Sequence, residues 1–202
     1  MKIEALPIEG AYVITPRQFP DNRGVFMEGY RGDLLAEHLG YEPRVVQTNI
    51  SVSSRGTVRG IHFADIPPGQ SKYVTALSGA FLDFVVDIRV GSPTFGQFES
   101  VLLDTADRRA VYLSEGLGHA LVALEGDSTA CYLCSTPYNP TGEHGINPLD
   151  AQIALQLPDM ELLLSPKDEA APTLAQAAAD GLLPTYEGYL AHVAALRVAS
   201  GR

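Results

Sequence analysis

The strongest constraint in this sequence is its rhythm. Short runs rich in Val, Ile, Tyr, Phe and Thr alternate with small clusters of Gly and Pro, and helix signals are confined to the two ends of the chain. The runs are Ala11 to Thr15, Val45 to Ser53, Ser71 to Ser78, Ala80 to Val90, Gln97 to Leu103, Ala110 to Leu113, Ala120 to Leu124 and Thr129 to Ser135. Turn chemistry separates them at Ser54-Arg-Gly56, Pro67-Pro-Gly69, Ser78-Gly79, Gly91-Ser-Pro93, Glu115-Gly116 and Gly126-Asp127. Eight short strands with turns between them predict a mainly β sandwich or barrel. The length of 202 residues suits a single domain, with a β core over about 10–160 and a helical extension over about 172–200.

Three helices are expected. Asp33 to Leu39 forms a short one stopped by Gly40, a residue that readily takes the left-handed conformation of a helix end. Thr173-Leu-Ala-Gln176 has the spacing of a capping box and opens a second, and a third runs from about Tyr186 to Ala199. With 46% hydrophobic and 19% charged residues, the chain has the composition of a self-folding globular domain.

The formal net charge of −10 argues against broad binding to nucleic acid or anionic lipid. The excess is uneven: residues 1–100 carry 9 basic and 11 acidic groups, and residues 101–202 carry 5 and 13, so an anion site belongs to the first half. No apolar run approaches the roughly 20 residues that span a bilayer, and the first residues lack the apolar core of a secretion signal, so a cytoplasmic protein is expected. Cys131 and Cys134 lie on one strand-like run with no second pair to complete a zinc site, and read as two reduced thiols on opposite faces.

Of the 5 histidines, His38 and His192 fall on helices, where a solvated face is expected, and His144 falls in a turn-rich stretch and reads as exposed. His62 and His119 each follow a glycine-bearing segment on a short strand and could project into a barrel. A metal-binding barrel of this kind carries a His-x-His pair, whereas His62 has Gly60 and Ala64 two residues away, so no metal is expected. Arg23, Arg59 and Lys72 have the chemistry of an anion site, with glycines beside the two arginines allowing close approach of a phosphate, although on spacing alone they read as three separate surface cations. No phosphate loop or dinucleotide fingerprint is present.

Longer motifs are more specific. Arg23-Gly-Val-Phe26-Met-Glu28, Gln47-Thr-Asn49-Ile-Ser51, Arg59-Gly-Ile-His62, Pro67-Pro-Gly-Gln70-Ser-Lys72, Asp83-Phe-Val-Val-Asp87-Ile-Arg89 and Gly91-Ser-Pro-Thr-Phe-Gly96 follow one another in order. Gly118-His119, Tyr132-Leu-Cys-Ser135, Tyr138-Asn-Pro140 and Ser165-Pro-Lys-Asp168 continue the series. Together they resemble the dTDP-4-dehydrorhamnose 3,5-epimerase family over nearly the whole chain. The resemblance implies a cupin-type double-stranded β-helix, or jelly roll, a homodimer, no metal or other cofactor, and a dTDP-linked 4-keto-6-deoxy sugar as substrate. By position it also implies that His62 is the general base, Asp168 its carboxylate partner, Tyr132 the acid on the opposite face of the sugar and Lys72 the group near the C4 oxygen. Arg23 and Arg59 match diphosphate contacts, His119 and Asp83 pocket positions, and Phe26, Glu28, Gln47, Asn49 and Tyr138 substrate or nucleotide contacts.

The chemistry of such a reaction agrees with these residue types. A proton on carbon beside a ketone is acidic only because the carbanion delocalises onto the ketone oxygen, so a base must act together with a cation or hydrogen-bond donor at that oxygen. His62 and Lys72 supply those functions, a carboxylate such as Asp168 orients the imidazole, and a phenol such as Tyr132 keeps its proton at neutral pH until the enolate forms. The chain departs from the family at His119-Ala120-Leu121, where His-Gly-Phe is common, and at Asp150-Ala151 and Leu157-Pro158, where Asp-Pro and Trp-Pro are common. These departures bear on pocket shape and leave open whether C3, C5 or both are inverted, a single-carbon epimerase of an antibiotic deoxysugar pathway included. A 3,4-ketoisomerase and a non-catalytic sugar-nucleotide-binding cupin are the competing readings, and the retained acid and base set argues against both.

Overall fold

A computed structural model describes residues 1–201. Its strands are β1 (Lys2–Ala5), β2 (Ala11–Thr15), β3 (Gln18–Asp21), β4 (Gly24–Met27), β5 (Gln47–Ser53), β6 (Val58–Ala64), β7 (Lys72–Ser78), β8 (Ala80–Val86), β9 (Phe98–Asp104), β10 (Ala110–Leu113), β11 (Gly118–Ala123), β12 (Ser128–Cys134) and β13 (Glu143–Gly145). The helices are α1 (Gly32–Leu39), α2 (Pro166–Glu169), α3 (Leu174–Ala179) and α4 (Tyr186–Ala199). Six strands form one antiparallel sheet in the order β1-β2-β10-β7-β12-β5, five form a second in the order β13-β6-β11-β8-β9, and β3 and β4 stand apart as a hairpin. The two sheets face each other as a jelly roll, in agreement with the mainly β class expected from the sequence.

Strand alternation divides the apolar residues into three layers. Val74, Ala76, Phe81, Val85, Val111, Leu121 and Ala130 fill the space between the sheets. On β8 and β11 the alternate residues Phe84, Val86, Ala120 and Val122 face the other way, onto a second core with Leu174 and Ala177 of α3. The run Ala80 to Val86 is therefore apolar on both faces because both faces are covered. A third layer, with Tyr73 and Tyr112 on the outside of the six-stranded sheet, packs against Leu35 and Leu39 of α1 and Tyr189 and Val193 of α4.

Several boundaries differ from the sequence expectation. The Val45 run begins as a strand only at Gln47, and the Ala80 run ends at Val86. Beyond it, Asp87 and Arg89 form a fully buried ion pair at 2.8 Å, and Arg89 lies 4.2 Å from the ring centre of Tyr189, tying α4 to the barrel. The hairpin β3–β4 was hidden by Pro20, which argues against a central strand but is tolerated in a two-stranded ribbon. Helix α2, at 4 residues, is too short to leave a periodic signal. Among the described residues no helix is long and apolar enough to cross a membrane.

Candidate active site

The polar residues of the barrel interior collect at one end of it. On β5 the inward positions are Gln47, Asn49 and Ser51, which pair in register with Cys134, Tyr132 and Ala130 of β12. Lys72 on β7 stands opposite Cys134 and so shares that wall. From the facing sheet come His62 and Arg59 of β6, His119 of β11 and Asp83 of β8. Tyr132 and His62 therefore belong to opposite walls.

Arg59 and His62 are three residues apart, a spacing that in a regular strand would send their side chains to opposite faces. The register shows why they share one: His62 pairs with His119 and Arg59 with Leu121, so three steps on β6 match two on β11. The extra residue is a β-bulge centred on Gly60, which has φ +125. A side chain there would collide with the carbonyl oxygen of His119. Glycine is required by both the dihedral angle and the close approach.

Asp168 reaches the site through local helix chemistry. Ser165 caps α2 and accepts from the Asp168 N–H at 3.1 Å, with Pro166 at the first helical position. This turn delivers the carboxylate to His62, whose Nε2–H donates to Asp168 Oδ1 at 2.7 Å. Nδ1 is left as the nitrogen free to take a proton. Burial works to raise the Asp168 carboxyl, but the His62 bond and charge, the Ser165 hydroxyl and the Gly60 N–H outweigh it and hold the group below the ordinary carboxylate value. A second pair lies alongside: His119 Nε2–H donates to Asp83 Oδ2 at 2.8 Å, and both side chains are buried.

Across the cavity, burial pushes the Tyr132 hydroxyl up to about 12. Its ring meets His119 edge-on with centroids 6.0 Å apart, and its oxygen lies 3.3 Å from Ser51 Oγ. Burial pushes the Lys72 amine down from the ordinary lysine value, while Cys134, Glu143 and Asp83 work in the opposite direction. Between these walls lies a cavity of about 530 Å³ lined by Asn49, Arg59, His62, Lys72, His119, Tyr132, Tyr138 and Asp168, a size ordinary for a small-molecule site.

Two further sequence candidates stand just behind this lining. Gln47 donates to Asn49 Oδ1 at 2.7 Å and accepts from the Tyr138 N–H at 3.0 Å, and Asp83 holds His119. Arg23, Phe26 and Glu28 are not brought to the cavity of their own chain. They lie on and beside the β3–β4 hairpin, where Arg23 pairs with Asp21 and Glu28 with Arg31 at the surface, and Phe26 is 68% exposed.

The structure adds lining residues that had no role at the level of sequence: Ser51, Gln70, Cys134, Glu143, His144 and Lys167. Alternation from Gln47 and Asn49 is the signal that points to Ser51. His144 differs from the exposed residue expected: with Glu143 it forms β13 against β6, is half-buried, and donates from Nε2 to Asp65 Oδ1 at 2.8 Å. His192 is likewise half-buried, its Nε2 enclosed without a hydrogen-bond partner among the described residues. Cys131 and Cys134 are free thiols on opposite faces, Cys134 inward. Among the described residues no group of three His, Cys, Asp or Glu side chains converges as a metal ligand set.

Comparison with known proteins points the same way as this geometry. The family model described as dTDP-4-dehydrorhamnose 3,5-epimerase matches residues 5–176. A dTDP-4-dehydrorhamnose 3-epimerase of Streptomyces niveus is 54% identical over 92% of this chain and 90% of its own length. A dTDP-4-dehydrorhamnose 3,5-epimerase of Mycolicibacterium smegmatis is 51% identical over 98% of both chains. Among solved structures, ChmJ, a 3′-monoepimerase of Streptomyces bikiniensis crystallised with dTDP-quinovose, superimposes with a TM-score of 0.93 at 48% identity, covering 96% of this chain and 98% of that one. With its fold, its motif order and most of its length in common with these proteins, the chain belongs to the dTDP-4-dehydrorhamnose 3,5-epimerase family.

Proposed function

We propose that the chain, acting as one domain over 1–202, epimerises dTDP-4-dehydro-6-deoxy-D-glucose or a close dTDP-linked 4-keto-6-deoxyhexose at C3, C5 or both, without a cofactor. The observation that carries this reading is the opposition of a carboxylate-oriented imidazole on one wall to a half-buried phenol on the other. His62 removes the proton from carbon beside the ketone, and the electron pair moves onto the ketone oxygen, where Lys72 offers positive charge. Tyr132 then delivers a proton to the opposite face of the same carbon. One proton leaves and one arrives, so the product is an isomer and no redox partner is consumed.

Arg59 is held open to the cavity by bonds to Ser53 Oγ at 3.1 Å and the Val52 carbonyl at 3.3 Å, which suits a diphosphate contact. Asn49 and Tyr138, braced by Gln47, suit sugar and base. Arg23, Phe26 and Glu28 join the reading through a homodimer in which the hairpin of one copy reaches the cavity of its partner. The exposure of Phe26 on that hairpin, and of Ile50 and Val52 on the outer face of the edge strand β5 at 64% and 61%, supports such an interface. The reading takes the enzyme to be cytoplasmic, where activated sugars are made.

A single-carbon epimerase of an antibiotic deoxysugar pathway stands level with the two-carbon reading, because relatives described as 3-epimerase and as 3,5-epimerase are almost equally similar to this chain. The deciding experiment is NMR of the candidate substrate in deuterated water. Deuterium at C3, at C5 or at both, with the new configuration, assigns the reaction. Binding of the dTDP-sugar without exchange would overturn catalysis and leave a binding protein.

A further inference from the structure

Tyr132 is half-buried and, among the described residues, its hydroxyl has a single hydrogen-bond partner, Ser51 Oγ at 3.3 Å. Ser51 is the third inward residue of β5, after Gln47 and Asn49, and pairs with Ala130 two positions before Tyr132. It is half-exposed on an edge strand, with Ile50 and Val52 beside it facing outward, so its hydroxyl lies between the enclosed phenol and the rim of the sheet. Arg59 is tied to the next two residues of the same strand, through the Val52 carbonyl and Ser53 Oγ, and its charge works to ease ionisation of Tyr132.

We infer that Ser51 is the positioning residue of the proton-donating tyrosine. It aims the Tyr132 hydroxyl in the resting state, donates a hydrogen bond to the phenolate that remains after Tyr132 has given up its proton, and passes a proton back to it. This rests on the epimerase reading above. The balance closes: Tyr132 gives its proton to the substrate carbon, Ser51 passes its proton to the phenolate oxygen as it takes one from water at the rim, and the hydroxide so formed is neutralised by the proton that His62 took and releases to solvent. A phenolate formed where burial opposes charge depends on such a donor, because hydrogen bonds to an ionised group are the strong ones.

The test separates inversion from proton removal. With dTDP-4-dehydro-6-deoxyglucose in deuterated water, Ser51→Ala should leave exchange with retained configuration within about twofold of wild type, since His62 is untouched. Epimer formation should fall by about tenfold to a hundredfold, the loss typical of a hydrogen bond to a charged group. Ser51→Thr keeps a hydroxyl and should recover most of the rate, whereas Ser51→Val, of the same shape without the hydroxyl, should not. In a Tyr132→Phe background, Ser51→Ala should cost nothing further, because both changes remove the same step. The inference is overturned if Ser51→Ala inverts at the wild-type rate, if exchange and inversion fall together, or if Val serves as well as Thr. A wild-type protein that neither exchanges nor inverts would instead sink the epimerase reading, and the role of Ser51 with it.

Discussion

His62 and Asp168, 106 positions apart, meet at 2.7 Å, joining a bulged strand of the barrel to a one-turn helix that follows it. The carboxylate is almost wholly enclosed while the imidazole retains about a third of its side-chain exposure, at 6% and 34%. Asp168 is thus sheltered from water, and the ring it holds stays open to the cavity, as the role proposed for His62 requires.

Replacing the proposed base should stop chemistry before it weakens binding. His62→Ala is expected to abolish deuterium incorporation at the substrate carbons while leaving the Kd for the dTDP-sugar within a few-fold of wild type, since Arg59 and Tyr138 are untouched. NMR exchange and calorimetry measure the two separately; exchange at the wild-type rate would remove His62 from the role.

Tyr132→Phe keeps the ring and its edge contact with His119 but deletes the proton proposed for the far face. Epimer formation should fall by roughly 10²- to 10⁴-fold, while exchange with retention persists. If the variant inverts its substrate as fast as wild type, Tyr132 is a packing residue.

The basic limb of the pH profile should belong to Lys72 and not to Tyr132. Free phenols and amines lose protons at about 10 and 10.4 respectively, but burial pushes Tyr132 up to about 12 and Lys72 down. Activity that needs a charged Lys72 should be lost as pH rises through a value below the ordinary lysine one. Lys72→Arg, which stays charged, should abolish this limb even if kcat falls; a limb surviving unchanged in that variant would assign it elsewhere.

Asp87 and Arg89 supply a stability test. The carboxylate accepts from Arg89 Nε and from the hydroxyls of Ser92 and Thr94, so Asp87→Ala strands a buried guanidinium and should cost about 3–5 kcal/mol in urea unfolding. Burial works to raise the Asp87 carboxyl, but these partners hold it below the usual value. Its contribution is therefore present above the unfolded value of about 3.9 and is lost as pH falls through the lower folded value. The variant should show a shallower loss of stability on acidification than wild type; equal midpoints at pH 7 would refute the assignment.

A shared site can be tested by mixing. If Arg23 serves the partner's cavity, Arg23→Glu and His62→Ala proteins should each be inactive alone, and a refolded mixture should regain up to about a quarter of wild-type activity, because half of the mixed species are heterodimers with one intact site each. No recovery in a mixture that size analysis shows to be dimeric would place Arg23 outside the partner's site.

The sequence by itself determined the fold class and the residue types of the site. Period-two alternation with Gly and Pro punctuation forces two-sided strands, and burial of one face of each forces two packed sheets, whatever the loops do. The same alternation put Gln47, Asn49 and Ser51 on one face, and the family motifs marked His62, Tyr132 and Asp168. Only the tertiary structure decided which of these meet. Arg59 shares a face with His62 because a bulge at Gly60 shifts the register, and a bulge becomes visible only against the partner strand. Asp168 reaches His62 because Ser165 caps a turn whose place in the fold is set by packing. Arg23, Phe26 and Glu28 match the family motif as well as any other residues, yet they stand on a hairpin away from their own cavity. A local pattern specifies what a side chain is and which face of its element it occupies, whereas proximity across more than a hundred residues is set by sheet order and register.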